Sequence, residues 1–167
     1  MNETNETYRL YFHLTPPAGW LNDPNGLCEY RGRYHVFFQY APESPLGGRK
    51  FWGHYVSPDL IRWKFLGTPL CPDTKWDQDG VYSGSSFIED GFLELFYTGN
   101  VKEKGDFDYI SAGRGANVLY TKSSNGETFE EKKLLLSNAD YPAAYTCHVR
   151  DPKVWKENGR YYMILGG

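Results

Sequence analysis

A chain of 167 residues, 40% of them hydrophobic, suits one domain with an ordinary soluble core. A net charge of -3, with acidic and basic residues interspersed, leaves no nucleic-acid footprint, and no apolar run approaches a membrane span. The aromatic share of 17% favours strands and also supplies flat, amphipathic surfaces on which sugar rings can stack.

The opening MNETNETYRL lacks the basic and apolar regions of a signal peptide. Asn2-Glu3-Thr4 and Asn5-Glu6-Thr7 fit the glycosylation acceptor pattern and, without a secretory signal, read as chance. Cys28, Cys71 and Cys147 are odd in number and widely spaced, which fits a reducing cytoplasm better than a disulfide framework.

In chain order, the first element is a hairpin, LCEYRG into GRYHVFFQY, turning at Gly32. A strand GHYVS follows, then a polar turn from Ser57 that reaches an aromatic, Trp63, six residues on. The same pair then recurs. SFIEDG into GFLELFYTG turns at Gly91, and the strand NVLYT leads to a turn from Ser123 with Phe129 six residues on. A third hairpin, KVWKENG into GRYYMILGG, turns at Gly159. Each run is short, aromatic and β-branched behind a turn glycine, which is a strand signal. No stretch of helical length has an apolar period of 3.6. The expectation is an all-β chain of four-stranded units, the mark of a β-propeller. A sandwich of hairpins is the alternative, and the recurrence of hairpin pairs in the same order favours the propeller. About two and a half units are present, so residues 1–167 read as a truncated N-terminal part of a propeller domain.

The repeats also align three polar residues. Asp23 lies nine residues before Gly32, Ser83 eight before Gly91, and Asp151 eight before Gly159. All three open the first strand of a unit, so rotation about a propeller axis would bring them to one mouth of the channel. Asn22-Asp23-Pro24-Asn25-Gly26 and Arg150-Asp151-Pro152 are ordinary turn sequences taken singly. At equivalent places in two repeats they point to a site instead.

The segment Trp20-Leu21-Asn22-Asp23-Pro24-Asn25-Gly26 resembles the signature of family-32 glycoside hydrolases, which include invertases, sucrose-6-phosphate hydrolases, inulinases and levanases. The resemblance continues, in the family's order, through Phe38-Gln39-Tyr40, Phe51-Trp52-Gly53-His54, Ser57 with Asp59-Leu60 and Trp63, Tyr82-Ser83-Gly84-Ser85, Phe96-Tyr97-Thr98-Gly99 and Arg150-Asp151-Pro152-Lys153-Val154-Trp155. It implies a five-bladed propeller followed by a β-sandwich, and retaining hydrolysis of β-fructofuranosides such as sucrose or sucrose 6-phosphate. Asp23 would be the nucleophile and Asp151 the transition-state stabiliser, with Arg150 binding nearby. Asn22, Gln39, Tyr82 and Ser83 would contact fructose. The partner implied is a small sugar, with no metal and no organic cofactor.

The sequence departs from the family at Gly47, where a Trp is common eight residues after Gln39, and at Tyr82, where Phe is commoner. The apolar wall beyond the fructose site is either missing or rebuilt by Phe51 or Trp52, which puts the leaving-group preference in doubt; Trp52, which follows a Gly-rich loop, is a candidate sugar contact. The family's general acid, a Glu in a Glu-Cys pair, has no counterpart here; Glu29, Glu89, Glu94 and Glu157 read as solvated hairpin faces. Loss of leaving-group protonation typically costs about 10²–10⁴-fold in rate. The chain by itself is therefore expected to be inactive. A fructosyltransferase, or a catalytically silent propeller that binds fructosides, are the alternative readings.

Overall fold

The structure, a computed structural model, describes residues 12–167; the triplets at Asn2 and Asn5 lie outside them. Ten strands make up its regular structure: β1 Trp20–Tyr30, β2 Arg33–Ala41, β3 Phe51–Ser57, β4 Lys64–Leu70, β5 Gly80–Glu89, β6 Phe92–Lys102, β7 Arg114–Ser123, β8 Lys133–Leu136, β9 Arg150–Glu157 and β10 Arg160–Gly166. A single turn of 3₁₀-helix, Asn138–Asp140, is the one helical element among the described residues. The strands form two antiparallel four-stranded meanders, β1-β2-β3-β4 and β5-β6-β7-β8, and the hairpin β9-β10. The all-β expectation and the repeating four-stranded unit both hold.

Local chemistry explains why each unit starts alike. The three hairpins close through Arg31-Gly32, Asp90-Gly91 and Asn158-Gly159, and in each pair both residues take positive φ, between 49° and 78°. That is the two-residue type I′ turn, whose twist matches the strands and which a glycine at the second position permits. The second hairpins share a different device. Ser57 Oγ lies 3.1 Å from Asp59 Oδ1, which accepts the amides of Ile61 and Arg62. Ser123 Oγ lies 2.9 Å from Asn125 Oδ1, which accepts those of Glu127 and Thr128. The same side-chain-built turn thus recurs in both sheets.

Alternation along β2 sends Phe37 and Phe38 to opposite faces. Phe37 joins Trp52, Leu70, Val81, Leu95, Tyr97 and Leu119 in the core that binds the first sheet to the second. Phe38 joins Tyr40 and Tyr55 on the outer side, under Leu14 and Phe65. Tyr30 pins the two sheets at the far end, where its hydroxyl donates to the Gly91 and Ser124 carbonyls at 2.6 and 3.0 Å. β1, β5 and β9 are edge strands of their sheets and pack side by side, β1 on β5 and β5 on β9. These are the inner strands of successive propeller blades.

Candidate active site

The inner strands meet at the ends where each carries an interruption. On β1, Leu21 pairs with Tyr40 and Pro24 with Phe38, so Asn22 and Asp23 together oppose Gln39. On β5, Val81 pairs with Gly99 and Gly84 with Tyr97, so Tyr82 and Ser83 oppose Thr98. On β9, Arg150 pairs with Gly166 and Lys153 with Ile164, so Asp151 and Pro152 oppose Leu165. Each is a β-bulge with two residues facing one, a feature that bends the strand and re-aims its side chains. The polar residues aligned from the repeats all sit in these bulges. Gly84 lets β5 bend this closely, since a Cβ there would lie 2.0 Å from the Phe96 carbonyl oxygen.

The bulges are tied together around the axis. Gln39 Nε2 donates to Ser83 Oγ at 2.8 Å, and Ser83 Oγ donates to Asp23 Oδ2 at 2.7 Å. Gln39 and Ser83 are buried, while Asn22 and Asp23 remain exposed. The Asp151 amide donates to Thr98 Oγ1 at 2.8 Å. A residue opposite the bulge of one blade therefore holds the bulge of the next, first Gln39 to Ser83 and then Thr98 to Asp151. Asn25, buried beneath Asp23, adds a third tie, accepting the Gly84 amide at 3.1 Å while its own Nδ2 donates to the Asp23 carbonyl.

Asp151 has a φ of 61°, a left-handed conformation that costs a non-glycine residue energy and persists where the surroundings impose it. Its side chain is 48% exposed, with protein crowding the remainder. Lost hydration pushes its pKa above the ordinary aspartate value; Arg150 opposes that shift, and the negative charge of Asp23 adds to it. Asp23 and Asp151, from different blades, thus share one electrostatic neighbourhood. Arg150 Nε lies 3.8 Å from Asp151 Oδ2. Residues that follow the three bulges, among them Pro24, Gly84 and Lys153, line a small cavity of about 180 Å³.

Tyr82 stands partly exposed in its bulge, with the Arg114 guanidinium 5.6 Å from its ring centre. Trp52 requires a correction. It has 0% exposure, its ring packs on Phe37 and Tyr97, and its indole N–H donates to the Tyr82 carbonyl at 3.0 Å. It has no surface to offer a sugar. The Gly-rich loop before it does not expose it, because Phe51–Ser57 is an interior strand of the first sheet, flanked by β2 and β4. The ring beside Gly47 is that of Trp20, 3.9 Å from where a Gly47 Cβ would stand. Glu89 and Glu94 are also less bare than expected, since Glu89 engages Lys156 and Tyr161 and Glu94 accepts the Tyr120 hydroxyl.

Asn25 and Thr98 are the site-building residues that the sequence reading passed over. A signal for Thr98 was available, because it follows Gly91 by the seven residues that separate Gln39 from Gly32.

Comparison with known proteins agrees with this geometry. Residues 13–167 match the model of the glycosyl hydrolases family 32 N-terminal domain. The sucrose-6-phosphate hydrolase of Bacillus subtilis is 42% identical over 161 residues, covering 96% of this chain and 32% of that protein. The raffinose invertase of Escherichia coli is 43% identical, with the same coverage of both. Among solved structures, the sucrose-6-phosphate hydrolase of Lactobacillus gasseri superposes with a TM-score of 0.84 at 35% identity, over 96% of this chain and 31% of that one. A Bombyx mori β-fructofuranosidase superposes at 0.82 and 34% identity, over 97% and 33%. The chain spans about a third of the length of these relatives. Matched by this family model over nearly its whole length, the chain belongs to glycosyl hydrolase family 32, and its fold is part of that family's β-propeller.

Proposed function

We propose that the parent protein hydrolyses β-fructofuranosidic bonds with retention, on sucrose or sucrose 6-phosphate, and that this chain carries the fructose-binding half of the active site. The observation behind this reading is the Gln39–Ser83–Asp23 relay set beside Asp151. Ser83 holds one oxygen of Asp23, which fixes the carboxylate and leaves the other oxygen to attack the anomeric carbon of the fructosyl unit. A bond forms between that oxygen and the anomeric carbon as the glycosidic bond breaks, and the leaving oxygen takes a proton from a general acid. Water then cleaves the fructosyl-enzyme intermediate, which gives net retention. The transition state is oxocarbenium-like, so the negative charge of Asp151 stabilises it while accepting hydrogen bonds from fructose hydroxyls. Arg150 favours the ionised form of Asp151. Asn22, exposed beside Asp23, and Tyr82 complete the fructose contacts in this proposal.

We assign the general acid to a residue beyond these 167, in keeping with relatives about three times as long. The setting we propose is cytoplasmic. Cys28, Cys71 and Cys147 are all free thiols, which suits a reducing compartment.

Fructose release from sucrose and sucrose 6-phosphate tests this reading, using the present chain and one extended to the stop codon of its gene, each with and without Asp23→Ala. Activity confined to the extended form and abolished by Asp23→Ala is expected. A folded, extended protein that binds fructosides without cleaving them would replace the hydrolase with a sugar-binding propeller.

A further inference from the structure

We propose that Lys50, Lys102 and Arg114 form a phosphate-binding subsite on the rim of this cleft, one that receives the phosphate monoester of a 6-phosphorylated leaving sugar. The inference rests on the fructosidase reading and deepens it by choosing between sucrose and its phosphate.

The strand order brings the three cations to the rim. Lys102 ends β6 and Arg114 starts β7, four residues beyond Thr98 and sixteen beyond it respectively, on the side where β5 carries Tyr82 and Ser83. Lys50 directly precedes β3, and its carbonyl accepts the Val81 amide at 2.9 Å, next to Tyr82. Gly80 sits between them, where a Cβ would come within 2.8 Å of the Tyr82 ring and 3.4 Å of Lys50 Cβ. Lys50 therefore stands over the first sheet, and Lys102 and Arg114 over the second, with Tyr82 in the gap.

The grouping sets like charges side by side, with Lys50 Nζ donating to the Gly48 carbonyl at 2.8 Å and Lys102 Nζ over the Tyr109 ring. Lys102 and Arg114 are direct cross-strand partners, a placement in which like charges destabilise. Lys50 lies close enough to Lys102 for its charge to be felt, and it is partly desolvated against Trp20, with Nζ 4.0 Å from the ring centre. Among the described residues, none of the three has a carboxylate at ion-pair distance. Arg33, Arg62, Lys122, Lys132, Arg150 and Lys156 all have one. Asp79 accepts the Lys102 backbone amide at 2.7 Å rather than its ammonium. Arg114, laid on the Tyr82 ring, has a buried Nε with no partner.

Two ammoniums and a guanidinium with no carboxylate at ion-pair distance among the described residues, one of them with an unspent buried donor, suit a phosphate dianion. Trp20 and Tyr82 add the aromatic surfaces that a sugar ring needs. Position supplies the ligand's identity. A phosphate bound above Tyr82, outward from Asp23, belongs to the group that departs and not to the fructosyl unit.

The test is a titration of the chain with glucose 6-phosphate, glucose, inorganic phosphate and fructose, followed by tryptophan fluorescence and by the amide resonances of Tyr82, Ser83 and Asp151. Glucose 6-phosphate is expected to bind about tenfold or more tighter than glucose, as charge-assisted hydrogen bonds imply. Lys102→Gln or Arg114→Gln should erase that preference, and Lys102→Arg should keep it; near-UV circular dichroism checks that each variant is folded. Equal affinity for glucose and glucose 6-phosphate, or a preference that survives both Gln variants, would overturn the proposal. Inorganic phosphate binding as tightly as glucose 6-phosphate would overturn its sugar component. Fructose reports separately on the underlying reading: if it leaves Ser83 and Asp151 unmoved while the phosphate preference holds, the fructoside site is wrong and the anion subsite stands.

Discussion

Asp151 is where the backbone and the electrostatics of the site meet. Its left-handed φ, its bulge and its amide bond to Thr98 all fix one carboxylate beside Asp23. Burial and the neighbouring negative charge raise its pKa, and Arg150 partly reverses the rise. A raised carboxylate pKa means that Asp151 protonates at higher pH in the folded chain than in the unfolded one. Folding gains from that proton as pH falls through the folded value, while any function needing the ionised form is lost over the same window. Carbon-detected titration of the Asp151 carboxyl measures this directly. Asp23→Asn removes a repelling charge and should lower the Asp151 value. Arg150→Gln removes an attracting one and should raise it. Shifts in the opposite directions, or none, would show that the two carboxylates do not share a site. The Asp-Pro steps were legible in the sequence because turn chemistry is local. That each step sits in a β-bulge was not, since a bulge is a relation between two strands and is written in neither alone.

At the scale of the strands, the site depends on a brace that the sequence reading did not foresee. Asp77, fully buried before β5, accepts the amide and hydroxyl of Thr74, the hydroxyl of Tyr97 at 3.0 Å and the ammonium of Lys132 at 2.8 Å. Lys132 also reaches Asp73 at 2.7 Å and the Cys71 carbonyl, so the approach to Tyr82 and Ser83 is clamped to the segment before β8. A buried ion pair adds little net stability over an apolar replacement, but removing one partner strands the other. Asp77→Ala should therefore cost about 3–5 kcal/mol. Urea unfolding followed by tryptophan fluorescence, with Trp76 in the same loop, checks this; a midpoint within error of the wild type would mean that the clamp is idle. Lys132 and Asp77 lie 55 residues apart, and no local pattern pairs them. Trp52 failed for a related reason. Following a glycine-rich loop argued for exposure, but the third strand of a four-stranded sheet is interior, and two packed sheets decide its burial. His54, two residues on, is buried by the same packing, 3.0 Å from His35 with its ring stacked on Phe37.

On the scale of the whole chain, the repeat that revealed the fold also shows what the third unit lacks. β10 occupies the place of β2 and β6, each of which pairs on its outer side with a third strand, yet among the described residues β10 pairs only with β9. Its residues are of the same apolar kinds and are far more exposed: Tyr161 58%, Tyr162 40% and Ile164 60%, with Trp155 of β9 at 38%. An edge of this composition is a template for pairing with other chains. Relatives run to about three times this length. A parent of that length would supply the outer neighbour of β10 from residues after Gly167, as β3 and β7 do in the first two units. Hydrogen exchange tests the point within one molecule. In the 167-residue chain, the β10 amides directed away from β9 should exchange as fast as loop amides, while those of β2 and β6 are retained. In the chain extended to its stop codon, the outward β10 amides should become protected to the level of β6, and concentration-dependent association should fall with them. Outward β10 amides already protected at low concentration in the short chain would mean that the third hairpin finds its partner within these residues, and the case for further blades beside it would fail.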